Sequence, residues 1–274
     1  MVWSGSRLCA VIGLIGLVGL GCSKPETPPA PVPKQPATES PMDAAPRVKM
    51  PRVVLDGSTE RLDARAIVDR AVTRKGGRDA LLAVRTVQTS ATSDADGPMA
   101  ISLAFPDRVA VRYVSQDSAL EAIVFDGTEA KIKQAGRVRT ASGAQRVQLE
   151  AALAADSIAV LVAASQADTT ITYAGGADVD GEQGDAIDVQ LPNLRVRMFI
   201  ERSTHDLRAI EYELHGERVL SVFSDFRPVG ELRIAHTTRV IGKAMDRTTT
   251  VQQVVLNPDL APETFQLPSE PGPG

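Results

Sequence analysis

Few side chains in this 274-residue sequence could perform chemistry: it contains three histidines and two cysteines. His205, His215 and His236 fall at predicted turn, turn and strand positions. Catalysis requires a nucleophile, a base and an orienting group that converge, and no local signature of such a set occurs. A hydrolase would need a histidine such as His236 within hydrogen-bond reach of a serine or aspartate in a cleft. The sequence therefore predicts no catalytic residue and no enzyme.

Metal and phosphate sites are not predicted either. Asp178, Asp180 and Glu182 surround Gly181 and suggest a calcium loop, but the third acidic ligand and the distal glutamate of an EF-hand are missing. This segment is predicted to be a hairpin turn. The glycine pairs at 76–77 and 175–176 lack the Gly-Lys-Ser/Thr ending of a phosphate loop. We expect neither a metal nor a cofactor.

The charge of the chain argues against nucleic acid as a partner. Thirty Lys and Arg residues oppose 34 Asp and Glu residues, which gives a net charge of −4, whereas nucleic-acid modules carry a basic stripe. Arg195, Arg197, Arg202 and Arg208 lie on neighbouring predicted strands. They could meet anionic headgroups, but such alternation more often marks a solvated sheet face, which we favour.

Cys22 is the residue with the clearest chemical context. An apolar run from Leu8 to Leu20 follows Arg7, and at 13 residues it is shorter than the roughly 20 needed to span a bilayer. The sequence Gly-Leu-Gly-Cys-Ser at 19–23 resembles the lipobox of bacterial lipoproteins. That resemblance implies a signal peptide over 1–21, acyl chains on Cys22, and, because Ser23 follows, a bacterial outer-membrane location with the domain facing the periplasm. The alternative is an ordinary cleaved signal with an incidental cysteine.

A proline-rich segment follows, and we assign residues 22–58 as a tether carrying the lipidated Cys22. Nine of the 18 prolines lie between residues 24 and 51. Proline removes backbone donors and fixes φ, so this stretch favours extended polyproline II. The tether would hold a folded domain away from the membrane to which the lipid attaches. The alternative is a low-complexity segment with no spacing role.

Residues 59–268 are predicted to form one folded domain, and residues 269–274 a disordered tail. Apolar residues at helical spacing predict helices over 62–74, 78–84 and 144–165. The last of these is apolar nearly all round, so it is expected to be buried. Alternating apolar and polar residues predict strands over 100–105, 108–114, 120–125, 129–134, 169–173, 185–191, 195–201, 207–214, 218–226, 232–241 and 247–256.

These elements predict an α+β fold, in which a large curved antiparallel sheet of about 11 strands is covered on its concave face by helices. One sheet face is expected to be wet and the other covered. The predicted lining of the space between the central helix and the sheet is Leu149, Leu153, Ile158, Leu161, Val196, Met198, Ile200, Ile210, Tyr212, Leu214 and Ile234.

The order of several short motifs resembles the LolA/LolB-like superfamily of bacterial proteins that handle lipoproteins. The motifs are Lys75-Gly76-Gly77 with Ala80-Leu81 and Val84, Phe105-Pro106-Asp107-Arg108, Phe125-Asp126-Gly127, Tyr173-Ala174-Gly175, Val179-Asp180-Gly181, Phe223-Ser224-Asp225-Phe226-Arg227, and Leu256-Asn257-Pro258 with Phe265. The resemblance implies an incomplete β-barrel with helices over its mouth, and a non-catalytic role in binding an acyl chain or a lipidated protein.

Two functions therefore remain open. In the first, the concave apolar cavity binds an acyl chain or the lipidated end of another protein. In the second, the core is closed and the domain is an envelope scaffold or stress-sensor-like interaction module, which the low aromatic content of 4% favours. A continuous apolar cavity of several hundred Å³ would favour lipid, because ligand pockets have about that size.

Overall fold

A computed structural model of the protein describes residues 54–55, 63–114, 120–243 and 245–267. The predicted signal segment 1–21, Cys22, all of the tether but residues 54–55, and the tail 269–274 lie outside the described residues. Those assignments stay predictions.

The described chain forms four α-helices, a 3₁₀ helix and one sheet of 14 strands. The helices are α1 (Ala64–Lys75), α2 (Arg78–Ala83), α3 (Gly143–Ala154) and α4 (Ser157–Ala164), and the 3₁₀ helix is Pro262–Phe265. The strands are β1 (Val54–Leu55), β2 (Thr86–Ser93), β3 (Gly97–Ala104), β4 (Arg108–Tyr113), β5 (Leu120–Phe125), β6 (Ala130–Gln134), β7 (Arg137–Thr140), β8 (Ile171–Val179), β9 (Glu182–Gln190), β10 (Arg195–Glu201), β11 (Leu207–Leu214), β12 (Glu217–Val229), β13 (Leu232–Gly242) and β14 (Met245–Leu256).

The sheet joins two antiparallel meanders. Strands β2 to β7 follow one another, strands β8 to β14 do the same, and β14 pairs with β2 to connect them, while β1 adds to β8 at one edge. Each of the 11 predicted strands overlaps an observed one. The three further strands are short or polar: β1 has two residues, β7 is a four-residue edge strand, and β2 is rich in Thr and Ser.

The prediction of an α+β fold with helices over one sheet face is confirmed. Ile67 and Val68 of α1, and Val160 and Leu161 of α4, are at most 2% exposed and belong to one core cluster with residues of β2–β6 and β9–β13. Strands from both ends of the sheet share this cluster, so the sheet curves around the helices. Most of the hydrophobic driving force comes from this one buried layer.

The single central helix predicted over 144–165 is wrong, because the chain bends by 66° between α3 and α4. The Asp156 carboxylate accepts hydrogen bonds from the backbone N–H groups of Ile158 at 2.8 Å and Ala159 at 3.2 Å. An aspartate at this position satisfies amide donors that a new helix would leave unpaired, so it favours a helix start. No single helix among the described residues is long and apolar enough to cross a membrane, although the bent pair passes that test jointly.

The outer face of the sheet is less exposed to solvent than the sequence predicted. Phe199 on β10 is 1% exposed and lies in register between Ala186 of β9 and Ala209 of β11. The small alanine side chains leave room for the aromatic ring to lie against the sheet. Further along, Phe265 and Leu267 of the C-terminal segment pack on alanines of β3, β4 and β5. The alternation of apolar and polar residues does not reveal such positions, because it is judged within one strand and takes no account of the neighbouring strands.

Two of the turn motifs are in contact. The Asp126 carboxylate accepts from the N–H groups of Thr128 and Glu129 at 2.8 Å each, which closes the β5–β6 hairpin as predicted. Gly127 has a φ of 94°, and a Cβ there would lie 2.8 Å from Asp107 Oδ2 in the β3–β4 turn. Glycine is favoured at this position by its backbone conformation, whereas the Asp107 carboxylate could rotate away from an added Cβ.

The end of α1 provides a test of close packing. Gly76 has a φ of 139°, and a Cβ there would lie 2.4 Å from the carbonyl oxygen of Glu231 in the β12–β13 turn. Gly77 has a φ of 92° but has open space around the same position. Both substitutions to alanine strain the backbone, but only Gly76→Ala forces α1 away from the sheet.

We expect Gly76→Ala to lower the free energy of unfolding by about 2 kcal/mol more than Gly77→Ala, measured by urea denaturation. Equal losses would contradict this packing.

Candidate functional site

An apolar pocket lies at the mouth of the half-barrel. Its volume is about 430 Å³, within the usual range of ligand pockets, and it opens to solvent. Thirteen of the fourteen lining side chains are hydrocarbon and the fourteenth is an arginine. The lining residues are Leu81, Leu82, Val84, Arg85, Phe105, Pro106, Leu153, Ala154, Ile158, Ala159, Val162, Ala163, Leu191 and Pro192. We call this space the mouth pocket.

Five elements of the fold build the mouth pocket. Helix α2 contributes Leu81, the β3–β4 turn contributes Phe105, and the β9–β10 connection contributes Leu191. The end of α3 and the outer side of α4 complete the wall. Because the chain bends at Asp156, α3 and α4 present apolar residues from two directions, which a straight helix would not do.

A second, smaller cavity lies deeper, between the start of α4 and strands β2, β3, β12, β13 and β14. Its volume is about 90 Å³, and its lining includes Phe223, Ile234 and the polar pair Asp156 and Ser157. Ile158 lines both this inner cavity and the mouth pocket. The walls of the two spaces therefore meet at Ile158.

The structure distributes the predicted lining residues over three places. Leu153, Ile158 and Ile234 line the mouth pocket or the inner cavity. Tyr212 is 6% exposed and also borders a charged groove of about 330 Å³. The others are at most 8% exposed in the core cluster and line neither space: Leu149, Leu161, Val196, Met198, Ile200, Ile210 and Leu214. Their contact with a ligand stays a prediction.

A buried polar cluster lies beside the inner cavity. Lys75 at the end of α1 is 5% exposed, and its Nζ donates to Ser157 Oγ at 3.3 Å. Burial lowers the pKa of Lys75 to about 8, against the opposing attraction of Asp156 and Asp206. Burial likewise raises the pKa of Asp156, although three backbone N–H groups and Lys75 oppose that shift. This cluster joins the ends of α1 and α4 under the mouth pocket.

Asp206, in the β10–β11 connection, extends the cluster to the sheet. Its Oδ1 accepts from the Nε atoms of Arg74 and Arg233, each at 3.1 Å, and its side chain is 7% exposed. The Arg233 guanidinium also lies 5.6 Å from the centre of the Phe226 ring. Helix α1 is thus held to β13 by ionic as well as apolar contacts.

The predicted arginine cluster faces acids on the outer sheet surface. Arg195 and Arg197 both bind Asp188, at 2.5 and 2.6 Å, and Arg202 binds Asp185 at 2.8 Å. Arg208 faces Glu201 at 3.7 Å. Each positive charge therefore has a nearby negative partner, which supports our interpretation as a charged sheet face.

The three histidines lie in two different turns and in strand β13. His205 and His215 lie in turns, with φ values of 62° and 52°. His236 is a buried strand residue whose Nδ1 lies 3.1 Å from the carbonyl oxygen of Ile234. Among the described residues, no three His, Cys, Asp or Glu side chains are placed to hold a metal ion. Asp178 instead accepts from Gly181 N at 2.9 Å and closes the β8–β9 hairpin.

Sequence reasoning missed α2 and the two turns as parts of the pocket wall. Leu81, Val84, Phe105 and Pro106 nevertheless belong to the motifs that carry the resemblance described above. A further motif residue, Asn257, accepts from Arg85 N at 2.7 Å and donates to the carbonyl oxygen of Ala83 at 3.1 Å, so it fixes the α2–β2 junction at the rim. The sequence therefore contained a signal for these pocket residues in the order of the motifs, although no hydrophobic periodicity marks them.

Comparison with known proteins reveals similarity only in three dimensions. No family model matches the sequence, and no curated protein does. A DUF1329 family protein from Desulfovibrio piger superimposes with a TM-score of 0.50 at 10% identity, over 74% of this chain and 97% of that one. A LolA superfamily protein from Nitrosomonas europaea gives 0.47 at 13% identity, over 75% and 98%. An outer membrane lipoprotein-sorting protein domain from Vibrio parahaemolyticus gives 0.47 at 10%, over 74% and 95%.

These similarities to solved structures are similarities of architecture, and at that level the resemblance predicted from the motifs is confirmed. At such identities the likeness concerns the fold alone, so function has to be argued from the pocket and its residues.

The buried Lys75 makes stability depend on pH in the alkaline range. Below about pH 8 the Lys75 side chain is protonated in both the folded and the unfolded chain. Between about pH 8 and 10.5 it is protonated only in the unfolded chain. The unfolded state then binds more protons, so the free energy of unfolding rises with pH across this window, by about 3 kcal/mol from this group. We expect Lys75→Met to remove that rise, measured by urea denaturation between pH 7.5 and 11.

Lys131→Met is the matched control, because Lys131 is a surface residue paired with Glu129 at 3.2 Å. This variant should keep the wild-type pH slope. A Lys75→Met protein with an unchanged slope would show that Lys75 is not desolvated in the folded state.

Proposed function

We propose that this protein is a non-catalytic, lipid-anchored periplasmic protein whose LolA-like domain binds an acyl chain or a lipidated protein. The single observation that carries the proposal is the mouth pocket of about 430 Å³ with thirteen hydrocarbon side chains. A pocket of this composition offers a ligand burial of apolar surface and almost no hydrogen bonds. Its chemistry fits a hydrocarbon chain better than a sugar, a nucleotide or a peptide backbone.

The energetics favour an acyl chain. Each buried methylene contributes about 0.8 kcal/mol, so ten of them offer about 8 kcal/mol before the costs of association and chain ordering are subtracted. A remainder of about 4 to 6 kcal/mol corresponds to a Kd between about 1 mM and about 50 μM. Such affinity suits a protein that holds a lipid and releases it again.

The anchor and the tether support an envelope location. We propose that Cys22 carries acyl chains, that the protein resides in a bacterial outer membrane, and that the tether 22–58 places the mouth pocket in the periplasm. Two or more acyl chains anchor a protein stably, whereas one chain binds only marginally.

The second candidate, a scaffold or interaction module, rests on how full the centre of the barrel is. The inner cavity holds only about 90 Å³, and seven of the predicted lining residues are packed in the core instead. Under this alternative the mouth pocket would have no lipid ligand. Native mass spectrometry of the protein with added fatty acid separates the two, since an absence of any lipid adduct would contradict lipid binding.

Filling the mouth pocket provides a sharper test. Ala159 lies on the pocket wall, so Ala159→Trp places an indole ring in the space that a chain would occupy. We expect at least about tenfold weaker binding of a fluorescent acyl probe, because loss of two or three buried methylenes suffices for that change. Ala95→Trp, at an exposed residue in the β2–β3 turn that does not line the pocket, is the control and should bind as the wild type does. Unchanged binding in Ala159→Trp would place the ligand elsewhere.

A further inference from the structure

Only one of the residues that line the mouth pocket is charged. Arg85 is exposed at the rim, between α2 and β2, whereas every other lining side chain is hydrocarbon. No acidic residue lines the pocket. A ligand that fills this space therefore places its polar end beside a positive charge with no negative counterpart in the wall.

Most arginine side chains in the part of the chain that the structure describes bind an acidic side chain or a backbone carbonyl oxygen. Arg74, Arg195 and Arg197 bind carboxylates, and Arg65 and Arg78 bind backbone carbonyl oxygens. Within the described residues, Arg85 has no such partner for its side chain. Its charge remains available to a ligand.

The backbone of Arg85 is nevertheless fixed. Its N–H donates to Asn257 Oδ1 at 2.7 Å, and its carbonyl oxygen accepts from Phe105 N at 2.9 Å. Asn257 also binds the end of α2 through Ala83, so the position of the Arg85 Cα relative to the pocket wall is set from two sides. An anchored backbone with a free guanidinium suits recognition of a group outside the pocket.

From this placement we infer that the mouth pocket selects amphiphiles with an anionic group next to their hydrocarbon chain, with Arg85 as the residue that recognises the anion. The inference rests on the proposed function and adds the charge of the ligand to it. A guanidinium presents a planar fork of N–H donors that matches both carboxylate and phosphate. The headgroup could thus belong to a fatty acid or to a phosphate ester of a lipid.

The test compares single-chain probes that share twelve carbons and differ in their headgroups. Dodecanoate and dodecyl phosphate are anionic, dodecanol is neutral, and dodecyltrimethylammonium is cationic. Each displaces the neutral fluorophore N-phenyl-1-naphthylamine from the full chain carrying Cys22→Ala, at probe concentrations below micelle formation. The Cys22→Ala change prevents an attached acyl group from competing.

We expect an anionic probe to bind about fivefold more tightly than dodecanol, which is the scale of an exposed ion pair, and added salt to reduce the difference. Arg85→Gln should remove this preference and leave dodecanol affinity unchanged. Arg85→Glu should favour dodecyltrimethylammonium. Arg137→Gln, an exposed arginine on β7 that does not line the pocket, is the matched control and should retain the anion preference.

The outcomes separate this inference from the proposed function. Equal affinity for dodecanoate, dodecyl phosphate and dodecanol in the Cys22→Ala chain overturns the role of Arg85 but leaves acyl binding intact. An equal loss of affinity for all probes in Arg85→Gln would indicate a structural effect, and it would likewise overturn the role of Arg85 while leaving acyl binding intact. Failure of every probe to displace the fluorophore overturns both proposals. Preference for dodecanoate over dodecyl phosphate, or the reverse, identifies which anion the rim accepts.

Discussion

The hydrogen bonds from the N–H groups of Ile158 and Ala159 to the Asp156 carboxylate shape the rest of the site. They start α4 in the middle of an apolar run that would otherwise continue as one helix. The resulting bend of 66° lets α3 and α4 face the sheet from two directions. The mouth pocket lies along this bend, and Ile158, in the first turn of α4, lines both this pocket and the inner cavity.

The same bend brings polar groups into the core. Ser157 meets Lys75 of α1, and both lie near Asp156 under the pocket. Burying a lysine and an aspartate costs free energy, and their mutual attraction offsets that cost only in part. The cluster also orients the elements around it. The hydrogen bond from Lys75 to Ser157 links α1 to α4, and the ion pairs of Asp206 with Arg74 and Arg233 link α1 to the sheet.

Much of the fold followed from local patterns. The strands over 195–201 and 207–214 were placed with their observed bounds, because apolar and charged residues alternate there without interruption. The central helix was not predicted correctly, since periodicity counts apolar residues and does not weigh one aspartate as a helix start. Strand β2 was missed as a strand because Thr and Ser alternate only weakly with apolar residues, and its pairing with β14 is set by residues some 160 positions away.

By itself, the sequence determined the α+β class, the antiparallel arrangement of successive strands and the hairpin turns, because these follow from short-range alternation and turn chemistry. Only the tertiary structure decided which apolar residues surround empty space and which are packed solid. Val196 and Leu153 are both buried apolar residues of the core cluster, yet only Leu153 also lines the mouth pocket. The difference arises because a pocket is the space left between segments distant along the chain, and no single segment encodes it.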